Sequence, residues 1–314
     1  MEPIQCDDSK LHRASRRGQL QVVKHLIEEE FLDPLQTIGN YGWNAIHYAA
    51  AAGHLDVLRY FIEERGYSAA CVDQMGWTPL HFAARNKHFH VVQYLVGKQQ
   101  MEPSFRNEYG RTALHIACVG GSIAIIHYLA KEMSKYDIKL TDVVHDRDHE
   151  GRIPIHYASV CGHLEAVIFL ITELKCNPRI TDNMDKTLIH FAAYHGHLHI
   201  MKYCIEQLHC DPSRSTVDNV TPLHLAAGKG HLEMVMYLTL EQHCDPLCNV
   251  EKTETPFHVA AIFGQLEVIK FCVEILNCPP ETKGWLNMTP RALAHSRGHH
   301  HIVRYLESIS KNVS

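Results

Sequence analysis

Histidine and cysteine are the residues whose number could indicate chemistry, because 26 histidines and 11 cysteines occur in a chain of 314 residues. Imidazole and thiolate groups ligate zinc, and imidazole also transfers protons near neutral pH. The run from His299 to His301 could hold nickel or zinc adventitiously. His299, however, falls in register with other histidines of the chain, and Ile302 and Val303 continue a helical pattern after it. We therefore predict no metal site.

Four cysteines recur at intervals of 34 residues, namely Cys176, Cys210, Cys244 and Cys278. One such residue per structural unit forms a column whose members are separated by the helix packing distance, about 8 to 10 Å. Disulfide partners need Cα atoms within about 7 Å, so we expect reduced thiols that act as small buried hydrophobic groups. Cys244 and Cys248 have a spacing that zinc sites tolerate, but no second Cys or His pair follows at finger spacing.

Motifs of the common enzyme classes are absent from the sequence. We find no Gly-x-x-x-x-Gly-Lys-Ser/Thr phosphate loop, no Gly-x-Ser-x-Gly nucleophile elbow, no His-Glu-x-x-His helix and no kinase motif set. We therefore predict a protein that has no catalytic residues, uses no cofactor and is not an enzyme. An enzyme with an unrecognised site, using the abundant histidines, is an alternative.

One string recurs with the form Thr-Pro-Leu-His-x-Ala-Ala-x-x-Gly-His, and its clearest copies begin at Thr78 and Thr221. Such a period indicates a stack of repeated units, which also explains a chain longer than the roughly 250 to 300 residues of one globular core. The histidine of the string recurs at His12, His47, His81, His115, His156, His190, His224 and His258, with Ala292 in the ninth place. A histidine also follows glycine at His54, His163, His197, His231 and His299.

Each copy predicts two short helices. Thr78 can cap a helix, and Pro79 is favoured at the first helical position because its missing N–H donor has no partner there. Small alanines such as Ala83 let a neighbouring helix approach closely, and Gly230 supplies the left-handed residue that ends such a helix. Runs such as Val268-Ile269-x-x-Cys272-Val273 indicate the second helix. Helices this short are stable only when stacked on neighbours.

The Thr-Pro-Leu-His turn and its register resemble the ankyrin repeat. The resemblance implies an all-α solenoid (α-solenoid) of about nine helix-turn-helix repeats with β-hairpin loops, in which the histidines tie the hairpin to the helix. It also implies a non-enzymatic scaffold or adaptor that binds a protein or peptide along the concave groove of hairpin tips and first helices. Most copies run one residue longer than is usual in the family, and we expect the extra residue at the end of the second helix.

We expect one continuous solenoid with capped ends. The predicted segments are an N-terminal capping repeat at 1–38, repeats at 39–147 with an extended loop at 131–147, repeats at 148–283, and a C-terminal capping repeat and tail at 284–314. The interval of 41 residues places seven extra residues within 131–147. We expect a hinge or protrusion there.

The candidate partner-binding residues lie at the hairpin tips and just after the first helices of the N-terminal half. Aromatic and arginine side chains dominate the energetics of many interfaces. We predict contact with a partner, or alternatively mutual packing of the two tip tryptophans, for this set: Tyr41, Trp43, Met75, Trp77, Arg85, Asn86, Tyr109 and Arg111. The row after the first helices continues at Tyr194, His195, Ile262 and Phe263, whereas Tyr48, Phe82, Ile116, Tyr157 and Phe191 are expected in the core.

The formal net charge of −5 argues against non-specific DNA binding, which requires many neutralised phosphates. A nucleic-acid or lipid-headgroup binder is nevertheless an alternative, through the local cluster of Arg13, Arg16, Arg17 and Lys24. No apolar stretch reaches 18 residues and the N-terminus lacks an apolar signal region. We expect a monomer in the cytoplasm, with the nucleus as an alternative location, that binds no membrane and no small-molecule substrate.

Overall fold

A computed structural model describes residues 10–36, 41–136, 139–248 and 254–312, and the regular elements within these ranges are all helices. Parts of the predicted N-terminal repeat (1–9 and 37–38), of the insertion (137–138) and of the tail (313–314) lie outside the described residues. The chain divides into two compact units, 1–177 and 178–314, which we call unit 1 and unit 2. This boundary is not among those predicted from the sequence, and the predicted segments stay predictions.

The described helices alternate between a first and a second helix of each pair. In unit 1 the first helices are α1 (Lys10–Arg16), α3 (Ala45–Ala52), α5 (Pro79–Arg85), α7 (Ala113–Gly120) and α10 (Pro154–Val160). Their second helices are α2 (Leu20–Glu28), α4 (Leu55–Arg59), α6 (Phe89–Gln93), α8 (Ile123–Met133) and α11 (Leu164–Thr172), and α9 (Leu140–Val144) follows α8. In unit 2 the pairs are α12 (Leu188–His195) with α13 (Leu198–Lys202), α14 (Pro222–Lys229) with α15 (Leu232–Met236), α16 (Pro256–Ile262) with α17 (Leu266–Glu274), and α18 (Pro290–Ser296) with α19 (His300–Asn312).

The first helix α5 begins as the sequence predicts. Thr78 is the N-cap of α5 in an extended conformation, and Pro79 occupies the first helical position. The backbone N–H of Thr78 donates to Nδ1 of His81 at 3.2 Å, and the Thr78 hydroxyl lies 2.9 Å from the same nitrogen. The threonine and the histidine therefore satisfy the otherwise unpaired groups at the helix start.

The core forms where first helices stack on first helices. In unit 1, α3 packs on α5 and α5 packs on α7. Ala49, Ala50, Ala83 and Ala84 are completely buried at these contacts, which shows why the repeat uses its smallest apolar side chain there.

Four second helices end in a wide turn that places the extra residue. The helices α4, α6, α13 and α15 continue without a break into π-helical turns at Tyr60–Glu64, Tyr94–Lys98, Tyr203–Gln207 and Tyr237–Glu241. A π-helical turn holds one residue more than an α-helical turn. The prediction that the additional residue lies at the end of the second helix is confirmed for these repeats.

The second helices are also linked to one another by tyrosine–glutamate hydrogen bonds. The Tyr60 hydroxyl donates to Glu28 at 2.9 Å, and the Tyr237 hydroxyl donates to Glu206 at 3.1 Å. Burial of the Tyr60 ring, together with its bond to the carboxylate, raises its pKa to about 12. Each bond joins neighbouring repeats on the side of the second helices.

The insertion between the third and fourth full copies is partly a packed helix. Its Val143 and Val144 are 2% and 0% exposed, and α9 packs on α8. His145 Nε2 accepts the backbone N–H of Asn177 at 2.8 Å. The expected protrusion is therefore wrong for α9, because its apolar side chains are buried, whereas the hinge hypothesis stays a prediction.

Candidate protein-binding cleft

A cleft of about 570 Å³ lies between the hairpin tips of unit 1 and the end of α5. The residues that line it come from three successive hairpins and from one first helix. They are Tyr41, Trp43, Asp73, Met75, Trp77, Phe82, Arg85, Tyr109 and Arg111.

A buried acceptor shapes two of the hairpin tips. Asp73 Oδ1 accepts the backbone N–H groups of Met75 and Trp77, both at 2.8 Å, and its own N–H donates to the Trp77 carbonyl at 3.0 Å. In the next hairpin Asn107 accepts the N–H groups of Tyr109 and Arg111 at 3.0 Å. These bonds close a tight turn that directs the tip side chains to one side.

Backbone bonds between neighbouring tips keep them in register. The N–H of Gln74 donates to the carbonyl of Tyr41, and the N–H of Glu108 donates to the carbonyl of Met75, both at 3.0 Å. Tyr41, Met75 and Tyr109 therefore form one row along the cleft, each at the same position of its hairpin.

The floor of the cleft is an aromatic cluster centred on Phe82. The Trp43 ring lies 4.4 Å from the Phe82 ring and meets it edge-on, and the Trp77 ring lies 5.2 Å away in a tilted arrangement. Phe82 is only 2% exposed, whereas both tryptophans are half-buried. Each indole thus packs on the floor with one part and faces the cleft with another.

Two arginines form the polar wall. The Arg85 guanidinium lies 5.7 Å from the centre of the Trp77 ring, and that of Arg111 lies 4.7 Å from the Tyr109 ring. Arg111 Nε is 3.5 Å from Oδ2 of Asp148, whose side chain is fully buried. Arg111 is therefore anchored by a carboxylate, while Arg85 is held on an aromatic face.

Seven of the eight predicted partner-binding residues line this cleft. Asn86 does not, because it follows α5 and its amide donates to the Ala51 carbonyl at 2.6 Å. Phe82 was predicted in the core, where its burial confirms it, but it also forms the floor. Asp73 was missed, although Asp73, Asn107, Asp148 and Asp182 recur as a column of acceptors five residues before the helix cap. That all these residues contact a partner stays a prediction.

The remaining predicted surface row lies in unit 2. Tyr194 and Phe263 are 42% and 61% exposed, and the Lys229 ammonium lies 4.3 Å from the Tyr194 ring. The predicted core positions Tyr48, Ile116, Tyr157 and Phe191 are at most 9% exposed, which confirms their assignment.

The repeat histidine fastens the cleft hairpin to α5. His81 Nε2 donates to the carbonyl of Arg111 at 3.2 Å, while Nδ1 accepts from Thr78. Burial lowers the pKa of His81 to about 4, so the imidazole is neutral at pH 7. The predicted role of this histidine, which ties a hairpin to a helix, is confirmed here.

The glycine-linked histidines have a different role from the one that the resemblance implied. His54 Nε2 donates a hydrogen bond to the carbonyl of Arg16 at 3.1 Å, and His163 Nε2 donates one to the carbonyl of Val119 at 3.0 Å. His299 in unit 2 bonds the carbonyl of Ile262 at 2.9 Å. These acceptors lie at the ends of preceding first helices, not in hairpins, so these histidines satisfy helix carbonyls that lack a partner.

The cysteine column is mostly buried. Cys176, Cys244 and Cys278 are 2%, 8% and 4% exposed, which confirms the prediction for them, whereas Cys210 is partly exposed. The ten cysteines among the described residues are all free thiols.

The basic cluster near the N-terminus is partly neutralised. Lys24 donates to Glu64 at 3.0 Å and lies 4.9 Å from the Tyr60 ring. Arg13, Arg16 and Arg17 are exposed on or just after α1. Within the described ranges, no helix is both long and apolar enough to cross a bilayer.

Similarity to known proteins extends over most of the chain. A family model described as ankyrin repeats in three copies matches residues 11–107, 65–142, 99–182 and 173–250, and a model of the single ankyrin repeat matches 252–282. The matches agree with the predicted fold class, an all-α repeat stack. They do not extend past 282, so the count of about nine repeats stays a prediction.

Individual relatives match a shorter segment. Notch-regulated ankyrin repeat-containing protein A of Danio rerio is 36% identical over 59 residues, and Notch-regulated ankyrin repeat-containing protein of Homo sapiens is 35% identical over 60 residues. Each match covers 19% of this chain, which spans 51% of the length of each relative.

Proposed function

This chain belongs to the ankyrin-repeat family, whose repeats are generally protein–protein interaction modules, and from this premise we propose that unit 1 binds a segment of a protein partner in its cleft. The partner segment carries an apolar anchor side chain that packs against Trp43 and Trp77. An acidic side chain next to the anchor faces Arg85.

The observation that carries this proposal is the combination of an aromatic floor with an arginine wall. Trp43 and Trp77 both pack against Phe82 and are both half-buried. Because their side chains are already ordered, little conformational entropy is lost when a ligand binds to them. Tryptophan and arginine are the residues most enriched among strong interface contacts.

The same residues favour binding without catalysis. The lining contains no serine, cysteine, histidine or lysine that could act as a nucleophile or proton carrier. Its one carboxylate, Asp73, is 8% exposed and already accepts two backbone N–H groups. We therefore propose a non-enzymatic adaptor. We also propose that it is a monomer in the cytoplasm or nucleus, because free thiols are typical of a reducing compartment.

The test compares one residue in two hairpins. Met75 lines the cleft, and Met184 occupies the same position three residues before the helix cap in a hairpin of unit 2, where it is 39% exposed. Both carbonyls accept a backbone N–H from the following hairpin, at 3.0 and 3.3 Å. Met184→Glu is thus a matched control for Met75→Glu.

Peptides selected from a random phage-displayed library on the full chain serve as probes. The chain has three tryptophans, and replacing Trp285 with Phe in every variant leaves only Trp43 and Trp77. The tryptophan fluorescence then reports occupancy of the cleft. We expect Met75→Glu to weaken peptide binding about tenfold or more. The apolar anchor side chain of the peptide would remove water from the new carboxylate, and burying an unpaired charge costs free energy. Met184→Glu should leave the affinity unchanged. Equal binding to both variants, without a change in tryptophan emission, would contradict the proposal.

A further inference from the structure

Most of the described second helices, all except α8 and α19, are closed by the same backbone contact. The N–H of a residue in the following loop donates to the carbonyl of a helix residue six positions earlier. The two residues at this contact are normally apolar, and a hydrophobic contact between a helix end and the loop after it commonly accompanies helix closure. Examples are Phe61 with Tyr67, Leu95 with Met101, Leu170 with Cys176, and Leu238 with Cys244.

Two repeats of unit 2 place a cysteine on both sides of this contact. The N–H of Cys210 donates to the carbonyl of Cys204 at 3.0 Å, and the N–H of Cys278 donates to that of Cys272 at 2.9 Å. In both pairs the interaction between the two thiols raises the pKa of the helix cysteine and lowers that of the loop cysteine. The two cysteines of each pair are six residues apart within one repeat, whereas the 34-residue column joins neighbouring repeats.

The two pairs differ in access and in surrounding charge. Cys210 is partly exposed, and Arg179, which donates to the Leu208 carbonyl at 3.3 Å, lies close enough to favour its thiolate. Cys278 is 4% exposed, and the carboxylate of Asp245 acts against its thiolate. The helix partners Cys204 and Cys272 are 0% and 2% exposed.

We propose that Cys204 and Cys210 form an oxidation site, at which a hydroperoxide converts the two thiols into a disulfide. The Cys210 sulfur attacks the peroxide, forms an S–O bond and breaks the O–O bond, so that one water or alcohol leaves. The Cys204 thiol then loses its proton and attacks the Cys210 sulfur, so that the S–S bond forms and the S–O bond breaks; the leaving hydroxide takes up the proton and departs as water. Two thiols are oxidised and one peroxide is reduced.

The backbone supplies the geometry for the second step. A disulfide needs Cα atoms about 4.4 to 6.8 Å apart, and a direct N–H···O bond between the same two residues holds them within this range. The first step is favoured at Cys210, because the interaction with the neighbouring Cys204 thiol and the charge of Arg179 lower its pKa to about 7. The interaction with Cys210 and burial raise the pKa of the Cys204 thiol, so Cys210 is the first of the two to react with the peroxide and Cys204 is the resolving thiol.

The test treats the reduced full-length chain with hydrogen peroxide and maps disulfides by mass spectrometry of non-reduced digests. We expect a Cys204–Cys210 disulfide that is reversed by dithiothreitol. The Cys272–Cys278 pair, which has the same backbone geometry but less exposure, should form its disulfide at least tenfold more slowly. No Cys204–Cys210 disulfide in the wild type, or equal rates for the two pairs, would overturn the proposal.

Two matched variants separate oxidation from packing. Cys204→Leu reproduces the Leu238 and Cys244 arrangement that the chain already uses, so the helix closure is retained. Cys210 of this variant should stop at the sulfenic acid, which dimedone traps. Cys272→Leu should leave the rate at Cys204 and Cys210 unchanged. Dimedone labelling of wild-type Cys210 as strong as in Cys204→Leu would show that Cys204 does not resolve the sulfenic acid, and would overturn the proposal.

Discussion

At the scale of single residues, the repeat histidine shows how one side chain holds a fold unit together. His81 accepts a hydrogen bond through Nδ1 and donates one through Nε2, an arrangement that only the neutral imidazole can provide. His190 makes the same contacts, with its Nε2 at 3.0 Å from the Arg214 carbonyl. Protonation would remove the acceptor at Nδ1 and place a charge in a buried site.

Stability should therefore fall as the solution becomes acidic. Burial lowers the pKa of His81, His115 and His190 to about 4, whereas the same groups titrate near 6.5 when unfolded. Because the folded-state pKa is the lower one, the unfolded chain binds more protons between these values. The stabilisation is complete above about pH 6.5 and is lost as pH falls towards 4. At pH 5 the loss is on the order of 2 kcal/mol per histidine.

Urea unfolding at pH 7.5 and pH 5.0, at constant ionic strength, measures this loss. His81→Gln should reduce the difference between the two pH values, because the amide does not titrate in this range. His300→Gln, at an exposed position at the start of α19, should not change the difference. An unfolding midpoint that is the same at both pH values would contradict the prediction.

At the scale of elements, the sequence predicts what local chemistry determines. Thr78 and Pro79 predict the start of α5, and the hairpin position of Tyr41, Met75 and Tyr109 predicts that they share one surface. The sequence does not predict contacts between residues that are far apart in the chain and lack a fixed partner type. The bond from Tyr60 to Glu28 and the double role of Phe82 depend on such contacts.

Glycine at the end of a first helix illustrates an element boundary that the next repeat also constrains. Gly53 ends α3 with φ of 81°, and a Cβ added there would lie 2.4 Å from Nδ1 of His88. Gly66 has φ of 72°, but a Cβ added there would meet no atom within 4 Å. Both glycines avoid left-handed strain, and only Gly53 also makes room for a neighbouring side chain.

Replacing the two glycines should therefore have unequal effects. Gly66→Ala should lower the free energy of unfolding by about 1 kcal/mol, the strain of a left-handed alanine. Gly53→Ala should lower it by about 2 to 3 kcal/mol, because His88 must also move and loses its 3.0 Å bond to the Ala51 carbonyl. Urea unfolding of both variants at pH 7.5 gives the comparison. Equal losses would mean that His88 moves aside without penalty.

At the scale of the whole molecule, the net charge of the chain disfavours the approach of an acidic partner, whereas the cleft arginines favour binding once it has arrived. The formal net charge of −5 does not attract an acidic partner from a distance. The arginines of the cleft are close to its aromatic floor, where a carboxylate that has already arrived is shielded from solvent. The proposed acidic flank should therefore prolong the complex and should not accelerate its formation.

Arg85→Gln tests this division by removing one positive charge next to Trp77 while keeping a polar side chain. With a display-selected peptide that carries an acidic residue, we expect dissociation about tenfold faster, which corresponds to about 1.4 kcal/mol. The association rate should change by less than twofold. The matched control is Arg59→Gln, which removes the same charge from an exposed position on α4, where the guanidinium lies 5.6 Å from the Tyr94 ring. Stopped-flow measurements of tryptophan emission give both rates. If Arg59→Gln accelerated dissociation as much as Arg85→Gln, net charge would control the complex and the cleft arginine would have no local role.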